Sequence, residues 1–260
     1  MQVKESEKFV ASNILEGMTS ISALLNVQGE NYNDRRVQEI WIDRTRTEKL
    51  SRELRFLRAK ANELGFTIKL VTADEITAHS IGNSHGGVIA FCSERTIPGL
   101  TAHDIRADGF YVYLEGIEDP YNFGYAIRSL YAAGVDGVIL SPRNWMSAGG
   151  VVARSSAGAS ELLPLYLSES DNLVTLFHQA NYRIYAAGIR DSVSIYEAKL
   201  NCPLLLIVGG EKRGISRALL DCADQIVRID YGREFRGSLS AASAATVMAF
   251  EVMRQNRFSK

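Results

Sequence analysis

The chain has 260 residues, enough for one large or two modest domains with a proper apolar core. Its formal net charge of −1 carries no gross basic surplus, so any nucleic-acid surface has to be a local patch. Cys92, Cys202 and Cys222 are odd in number and widely spaced, and His79, His85, His103 and His178 keep no ligand spacing with them, which argues against a disulfide framework and against a metal site.

In chain order, the opening MQVKESEKFVAS is charged and lacks the apolar centre of a secretory signal. No later apolar run approaches a membrane span; the longest, PLLLIVGG, suits a buried strand. A cytoplasmic location with no membrane partner is the expectation. Residues 1–92 mix helical and strand patterns and end in the strand HGGVIAFC. Within them, DRTRTEKLSRELRFLRAK (43–60) holds seven basic and three acidic residues. Leu50, Leu54, Leu57, Ala61 and Leu64 recur at helical spacing and predict a buried stripe, leaving Arg52, Arg55 and Arg58 on another face. That face suits an RNA backbone; the alternative is a solvated helix with Glu–Arg pairs. SERTIPGLTAHDIRADG (93–109) has turn residues and no period, and reads as a linker.

From Gly109 onward apolar runs alternate with helical stretches. FYVYLEGI is a strand and 124–133 a helix, VDGVILS a strand and 147–157 a helix. LLPLYLS is a strand, DNLVTLFHQAN a helix and YRIYAAGI a strand. PLLLIVGG is a strand and ISRALLDCA a helix, QIVRID a strand and 238–256 a closing helix. Strands apolar throughout and separated by helices predict a mostly parallel sheet covered on both faces, whose ligands sit beyond the carboxyl ends of the strands. Unusual residues gather at those ends: Asn122 and Gly124, then Gly209 to Gly214, then Tyr231 to Ser240. The first strand-to-helix connection, GIEDPYNFG, is no dinucleotide fingerprint, and GGEKRG lacks the ending of a P-loop.

NFGYAIR (Asn122, Gly124, Arg128), IVGGEKRG (Gly209, Glu211, Gly214) and SLSAASAA (from Ser238) fall in that order along the C-terminal half. Together they resemble the three motifs of the SpoU, or TrmH-like, RNA ribose methyltransferases of the SPOUT superfamily, N-x-G-x-x-x-R, G-x-E-x-x-G and S-L-N-x-S-x-A, in order, spacing and strand-end placement. SSAGASELLP resembles the family's Gly-Ala segment before a proline strand. HGGVIA (85–90) resembles the H-x-G-V-x-A that closes its small substrate-binding domain. The resemblance implies an α/β chain of two domains: 1–105, of ribosomal-protein-L30-like fold with the linker from about 93, and 106–260, a methyltransferase domain with a trefoil knot. It also implies S-adenosyl-L-methionine as cofactor, a homodimer, and methylation of a ribose 2′-OH in RNA. The implied RNA is rRNA, of the 23S guanosine type; a tRNA substrate, or a weakened homologue that only binds RNA and cofactor, are the alternatives.

Methyl transfer from a sulfonium asks chiefly for alignment, which can supply roughly 7–11 kcal/mol, and for a partner to the 2′-OH, the group that distinguishes RNA from DNA. The family match gives that task to Arg128. Its guanidinium stays charged, so an electrostatic clamp on phosphate and developing alkoxide is the easier role, with a base role secondary. The same match makes Asn122 and Gly124 a turn that aims Arg128 at the pocket, and leaves Glu211 to bond the substrate ribose or to hold Arg128. Ala187, Gly188, Gly209, Gly210, Gly214, Ile229 and Leu239 match positions around the cofactor. Lys212, Arg213, Arg233 and Arg236 are candidates for RNA phosphates. The third motif departs from the pattern: Ser240 stands for the asparagine and Ala242 for the later serine, and IDY (229–231) stands where the family has I-P-M. Ser238 is expected to cap the final helix.

Overall fold

The computed structural model describes residues 13–82, 85–141 and 148–257. MQVKESEKFVAS, and Ser147 at the start of the helix expected over 147–157, lie outside the described residues. Two compact units emerge, one formed from 1–96 and 144–162, the other from 97–143 and 163–260.

In the first unit β1 (Ile14–Glu16), β2 (Val37–Asp43), β3 (Thr67–Val71) and β4 (Val88–Cys92) form a sheet in the order β1-β4-β2-β3, with only β2 and β3 parallel. Between them run α1 (Gly17–Val27), α2 (Ser51–Leu64) and α3 (Ala73–His79). Leu15, Ile21, Leu24, Ile40, Ile42 and Leu57 make a fully buried core. The stripe on α2 is where periodicity put it: Leu50, Leu54, Ala61 and Leu64 pack against that core around Leu57. Arg52, Arg55 and Arg58 are exposed. Among the described residues they make no ion pair, so the Glu–Arg pairing alternative is not realised; the helix's ion pair is Lys60–Glu63, 2.9 Å. Gly65 ends α2 in the left-handed region, φ 80°, with its N–H on the Ala61 carbonyl.

The second unit begins with β5 (Phe110–Glu115), α4 (Pro120–Ala132) and β6 (Gly137–Leu140). The chain then enters the first unit, where α5 (Gly149–Ser155) and α6 (Ala159–Leu162) pack. Arg154 pairs with Glu16 at 3.0 Å, and the Ser20 hydroxyl donates to the Ala153 carbonyl. Buried Glu161 pairs with buried Arg35 at 3.3 Å and accepts from Asn33 Nδ2 at 3.1 Å. Periodicity gave no hint of this destination, nor of α6.

The second unit resumes with β7 (Leu165–Leu167), α7 (Ser170–Gln179), β8 (Arg183–Ala187), β9 (Val193–Ser194), β10 (Leu204–Gly209), α8 (Arg217–Cys222), β11 (Gln225–Arg228) and α9 (Ala241–Arg257). Its seven strands are ordered β7-β6-β5-β10-β8-β11-β9, and each neighbouring pair is parallel. The central pair runs from Leu204 beside Phe110 to Gly209 beside Glu115. Residues 110–114 and 204–208 are all buried, the mark of strands covered on both faces. The segment read as a linker is not free: the Leu100 N–H donates to the Leu167 carbonyl and the Leu167 N–H to the Pro98 carbonyl, extending the β7 edge, with Leu100 buried. A fixed backbone position needs no hydrophobic period when only three residues pair.

Candidate active site

Because β5, β10, β8 and β11 are adjacent and parallel, their carboxyl ends share one edge of the sheet. The first motif follows the end of β5, the second starts at the last residue of β10, and the third comes ten residues after β11. Asp119 caps α4, its carboxylate accepting the Asn122 N–H at 2.8 Å, and Pro120 occupies the first turn. Asn122 and Gly124 therefore sit inside a helix that starts four residues earlier than expected, and the reading of them as a turn is corrected. Asp before Pro suits a helix start as well as a bend, because the pre-set φ and the side-chain acceptor serve both.

The second motif follows β10. A side chain at Gly209 would place its Cβ 2.3 Å from the Gly214 carbonyl carbon, and one at Gly210 would lie 2.1 Å from the Gly116 oxygen. Gly214, at φ +64°, turns the loop back so that its N–H donates to the Gly210 carbonyl at 3.0 Å. The loop is thus pressed against the end of β5, where the Gly210 N–H donates to the Glu115 carbonyl and the Ser216 N–H to the Glu115 carboxylate at 2.8 Å. Next along, Glu211 accepts from Asn122 Nδ2 at 3.1 Å, so the first two motifs are joined side chain to side chain.

The third motif follows β11. Here Ser240, not Ser238, caps α9: its hydroxyl accepts the Ser243 N–H at 3.2 Å and donates to the Ser243 hydroxyl, and its carbonyl accepts the Ala244 N–H. The cap has to stand three residues before the amide it holds, a position Ser238 misses by two. Two residues past β11, Asp230 is held below the usual carboxylate range by the Ser194 hydroxyl and then by Arg228, 2.8 Å away. A cleft of about 110 Å³ is lined by residues 116–119, Asn122, Glu211, Lys212 and Ala241, one or more from each motif. A larger cleft of about 290 Å³, with Phe110, Asp136, Cys202 and Asn256 among its walls, lies where the strands begin and touches no motif residue. The chemistry-bearing groups favour the smaller one.

The remaining predicted residues divide. Ala187 ends β8, the Gly188 N–H donates to the Val227 carbonyl at 3.0 Å, and Ile229 stands one residue past β11, all on the motif edge. Leu239 is 37% exposed and its N–H donates to the Tyr231 hydroxyl at 3.2 Å. Arg128 is exposed and does not line the cleft: six residues beyond Asn122 lie on a different helical face. Glu211 accordingly holds Asn122 rather than Arg128. Lys212 pairs with Glu118 at 2.7 Å, both well exposed, a contact of little strength. Arg213, Arg233 and Arg236 are exposed and make no ion pair among the described residues. Gly116, at φ +80°, Asp119 and Ala241 belong to the site without having been singled out; Asp-Pro after a strand was the available signal. Among the described residues there is no cluster of potential metal ligands, and no helix is long and apolar enough to cross a membrane.

A parallel sheet with glycine-rich and polar loops gathered on its carboxyl edge defines an α/β ligand-binding domain. The model of the SpoU rRNA Methylase family matches residues 109–250, and the chain belongs to that family. The 23S rRNA (guanosine-2'-O-)-methyltransferase RlmB of Shewanella oneidensis is 28% identical over 254 residues, covering 94% of this chain and 98% of that protein. The protein of the same name from Yersinia pestis is 26% identical over 251 residues, with the same coverages. Among solved structures, the SpoU methyltransferase AviRb of Streptomyces viridochromogenes, in complex with AdoMet, superimposes with a TM-score of 0.76 at 20% identity, covering 100% of this chain and 99% of that one. An RNA 2'-O ribose methyltransferase gives 0.76 at 21% identity, covering 98% and 95%. Both share the fold.

Proposed function

We propose that this protein is an RNA methyltransferase that moves the methyl group of S-adenosyl-L-methionine to a ribose 2′-OH, in rRNA rather than tRNA. The observation that carries this reading is the meeting of all three motif segments at one cleft, the first two joined through Asn122 and Glu211 and the third reaching it with Ala241. The names of the relatives from Shewanella and Yersinia support rRNA as the substrate.

The residues fit the cofactor. Gly209, Ala187, Ile229 and Leu239 offer backbone and apolar surface at the ends of β10, β8 and β11, with no charged side chain among the four. Among the described residues, Leu239 and the 76% exposed Ile189 leave apolar area uncovered, suited to an adenine ring and an aliphatic chain. When bound, the cofactor supplies an electrophilic methyl group with its own leaving group. The chain supplies position. Gly209 and Gly210 keep the second motif loop against Gly116, and Asn122 fixes the Glu211 carboxylate at the cleft. Arg128, exposed and outside the cleft, clamps a substrate phosphate near the reacting ribose rather than taking its proton. Arg52, Arg55 and Arg58 of the substrate-binding domain, with Arg213, Arg233 and Arg236, hold the RNA backbone. Lys212 joins them once it leaves Glu118.

The active form is a homodimer with the trefoil knot of the family, and it acts in the cytoplasm. Exposed Tyr125 and Tyr131 on α4 and Phe250 on α9, two helices that pack together, supply the apolar surface for self-association. A second reading, an RNA- and cofactor-binding protein with weakened turnover, draws on Ser240, whose hydroxyl is committed to the helix cap. Incubation with methyl-labelled S-adenosyl-L-methionine and unmodified rRNA or bulk tRNA decides between them. Label in rRNA supports the first reading; cofactor binding without transfer to either RNA supports the second; absence of cofactor binding refutes both.

A further inference from the structure

We propose that the loop 231–237, Tyr-Gly-Arg-Glu-Phe-Arg-Gly, is a stacking platform for an unpaired RNA base next to the methyl-transfer site. The proposal rests on the RNA methyltransferase reading and adds how the substrate is held and why it has to be single-stranded at that point. Phe235 is 60% exposed and Tyr231 39%, and their rings lie 5.9 Å apart at 56°. Nothing in the protein's own packing asks for a phenylalanine so far from the core, and burying such a ring against a ligand is favourable.

The ring has neighbours within its own loop. A Cβ at Gly237 would come within 2.5 Å of the Phe235 Cζ, so the outer end of the ring occupies space that the glycine leaves open. Tyr231 accepts the Leu239 N–H, which ties the base of the loop to the third motif. The loop starts three residues beyond β11, on the edge that carries the first two motifs. A base resting there lies on the same edge of the sheet as the proposed methyl-transfer site.

Chemistry selects the occupant. Arg233 and Arg236 alternate with the aromatic rings and face solvent, while Glu234 leaves the loop with two positive charges against one negative. That surplus is too small to hold an unspecific polyanion by charge alone, but it suits one or two phosphates flanking a base whose flat face meets an aromatic ring. A base inside a duplex has no free face to offer. Ring faces and interleaved guanidiniums are what a splayed-out nucleotide requires.

The test uses the full chain and fluorescence anisotropy with end-labelled dodecaadenylate and an RNA duplex of equal length. The wild type is expected to prefer the single strand. Phe235→Ala is expected to weaken dodecaadenylate binding by about 5- to 150-fold, the range that loss of one stacked base produces, while leaving duplex and S-adenosyl-L-methionine affinities unchanged. Phe235→Trp is expected to restore binding and to show indole quenching on addition of dodecaadenylate. Arg236→Ala is expected to weaken both RNAs and to reduce the salt slope by about 0.7 for the single strand. Failure of the wild type to bind dodecaadenylate, wild-type binding by Phe235→Ala, or a parallel loss of cofactor affinity in that variant overturns the platform. An enzyme that transfers methyl groups while Phe235→Ala binds normally loses only this proposal. A protein that shows the stacking signature but never transfers a methyl group loses only the enzymatic reading.

Discussion

Gly210→Ala is the sharpest probe of the idea that the motif loops are set by backbone contact. The added Cβ would sit 2.1 Å from the Gly116 oxygen and 2.5 Å from its carbonyl carbon, where ordinary contact begins at 3.4 Å. The loop therefore has to retreat by more than an ångström. Both obstructing atoms are backbone, so no rotamer change relieves the clash. The retreat also lengthens the Gly210 N–H bond to the Glu115 carbonyl. Overpacking of this kind costs about 1–3 kcal/mol, and the weakened bond about 1 more. Each kcal/mol lowers Tm by roughly 2–4 °C in a chain of this size, so the variant still folds. The functional loss is the larger one, because Glu211 moves with its neighbour, and a displacement of about 1 Å can cost on the order of 100-fold in rate. Calorimetric titration with S-adenosyl-L-methionine, methyl transfer to rRNA and thermal unfolding are read side by side. Gly99→Ala is the control, since no heavy atom lies within 4 Å of the Cβ it would add. Wild-type cofactor affinity and transfer by Gly210→Ala would refute the reasoning.

The other expectations are these. Glu161→Ala strips the carboxylate from buried Arg35 and lowers unfolding stability by about 3–5 kcal/mol, measured by urea titration; a loss under about 1 kcal/mol would show that the pair contributes little. Ser240→Ala removes the α9 cap at a cost of about 1 kcal/mol, whereas Ser238→Ala is neutral in the same titration; the reverse order would move the cap. Replacing Arg52, Arg55 and Arg58 together by Ala reduces the salt slope of RNA affinity by about 2, the value for three single-strand phosphate contacts; an unchanged slope removes α2 from the interface. Glu251 is held below its ordinary value of 4.5 by the side-chain bond to Arg254 and then by Gln255. A folded-state value below the unfolded one contributes stability that is present above pH 4.5 and lost as pH falls through the depressed value. The Tm gap between wild type and Glu251→Gln thus narrows on acidification from pH 4.5; a constant gap contradicts the assignment.

What could be read from the residues alone follows a physical divide. Strands 110–114 and 204–208 are apolar at every position because both faces are covered, and such runs need no partner to be recognised. The α2 stripe was readable for the same reason, since its period records one buried face. Strand order was not: β10 lies beside β5, although β6, β7, β8 and β9 come between them in the chain, and nothing local distinguishes that neighbour from another. The destination of α5 and α6 was hidden likewise, because small apolar residues suit any covered surface. Gly209 and Gly210 were visible as glycines, but the reason for them lies in Gly214 and Gly116, which only the folded chain brings near. The cap was misplaced by two residues because Ser238 and Ser240 have identical local chemistry, and only the first helical residue, Ala241, decides between them.

The cap at Ser240 bears on the departure in motif three. Asparagine and serine are nearly equal helix caps, so exchanging one for the other at position 240 leaves the start of α9 intact. They differ in what remains after capping. Asparagine accepts the amide with its oxygen and keeps two N–H donors for the cleft, whereas serine has one donor, and here it goes to Ser243. The substitution therefore separates two roles that one residue can combine, keeping the structural one and withdrawing a donor from the edge where the substrate is to be held. Under the proposed function, positioning then falls to groups the other segments bring: the Asn122–Glu211 pair at the cleft and the ring of Phe235 above Gly237. The aromatic and basic residues between β11 and α9 stand in the same connection as Ser240, which places a compensating contact on the edge where the ribose has to stay aligned.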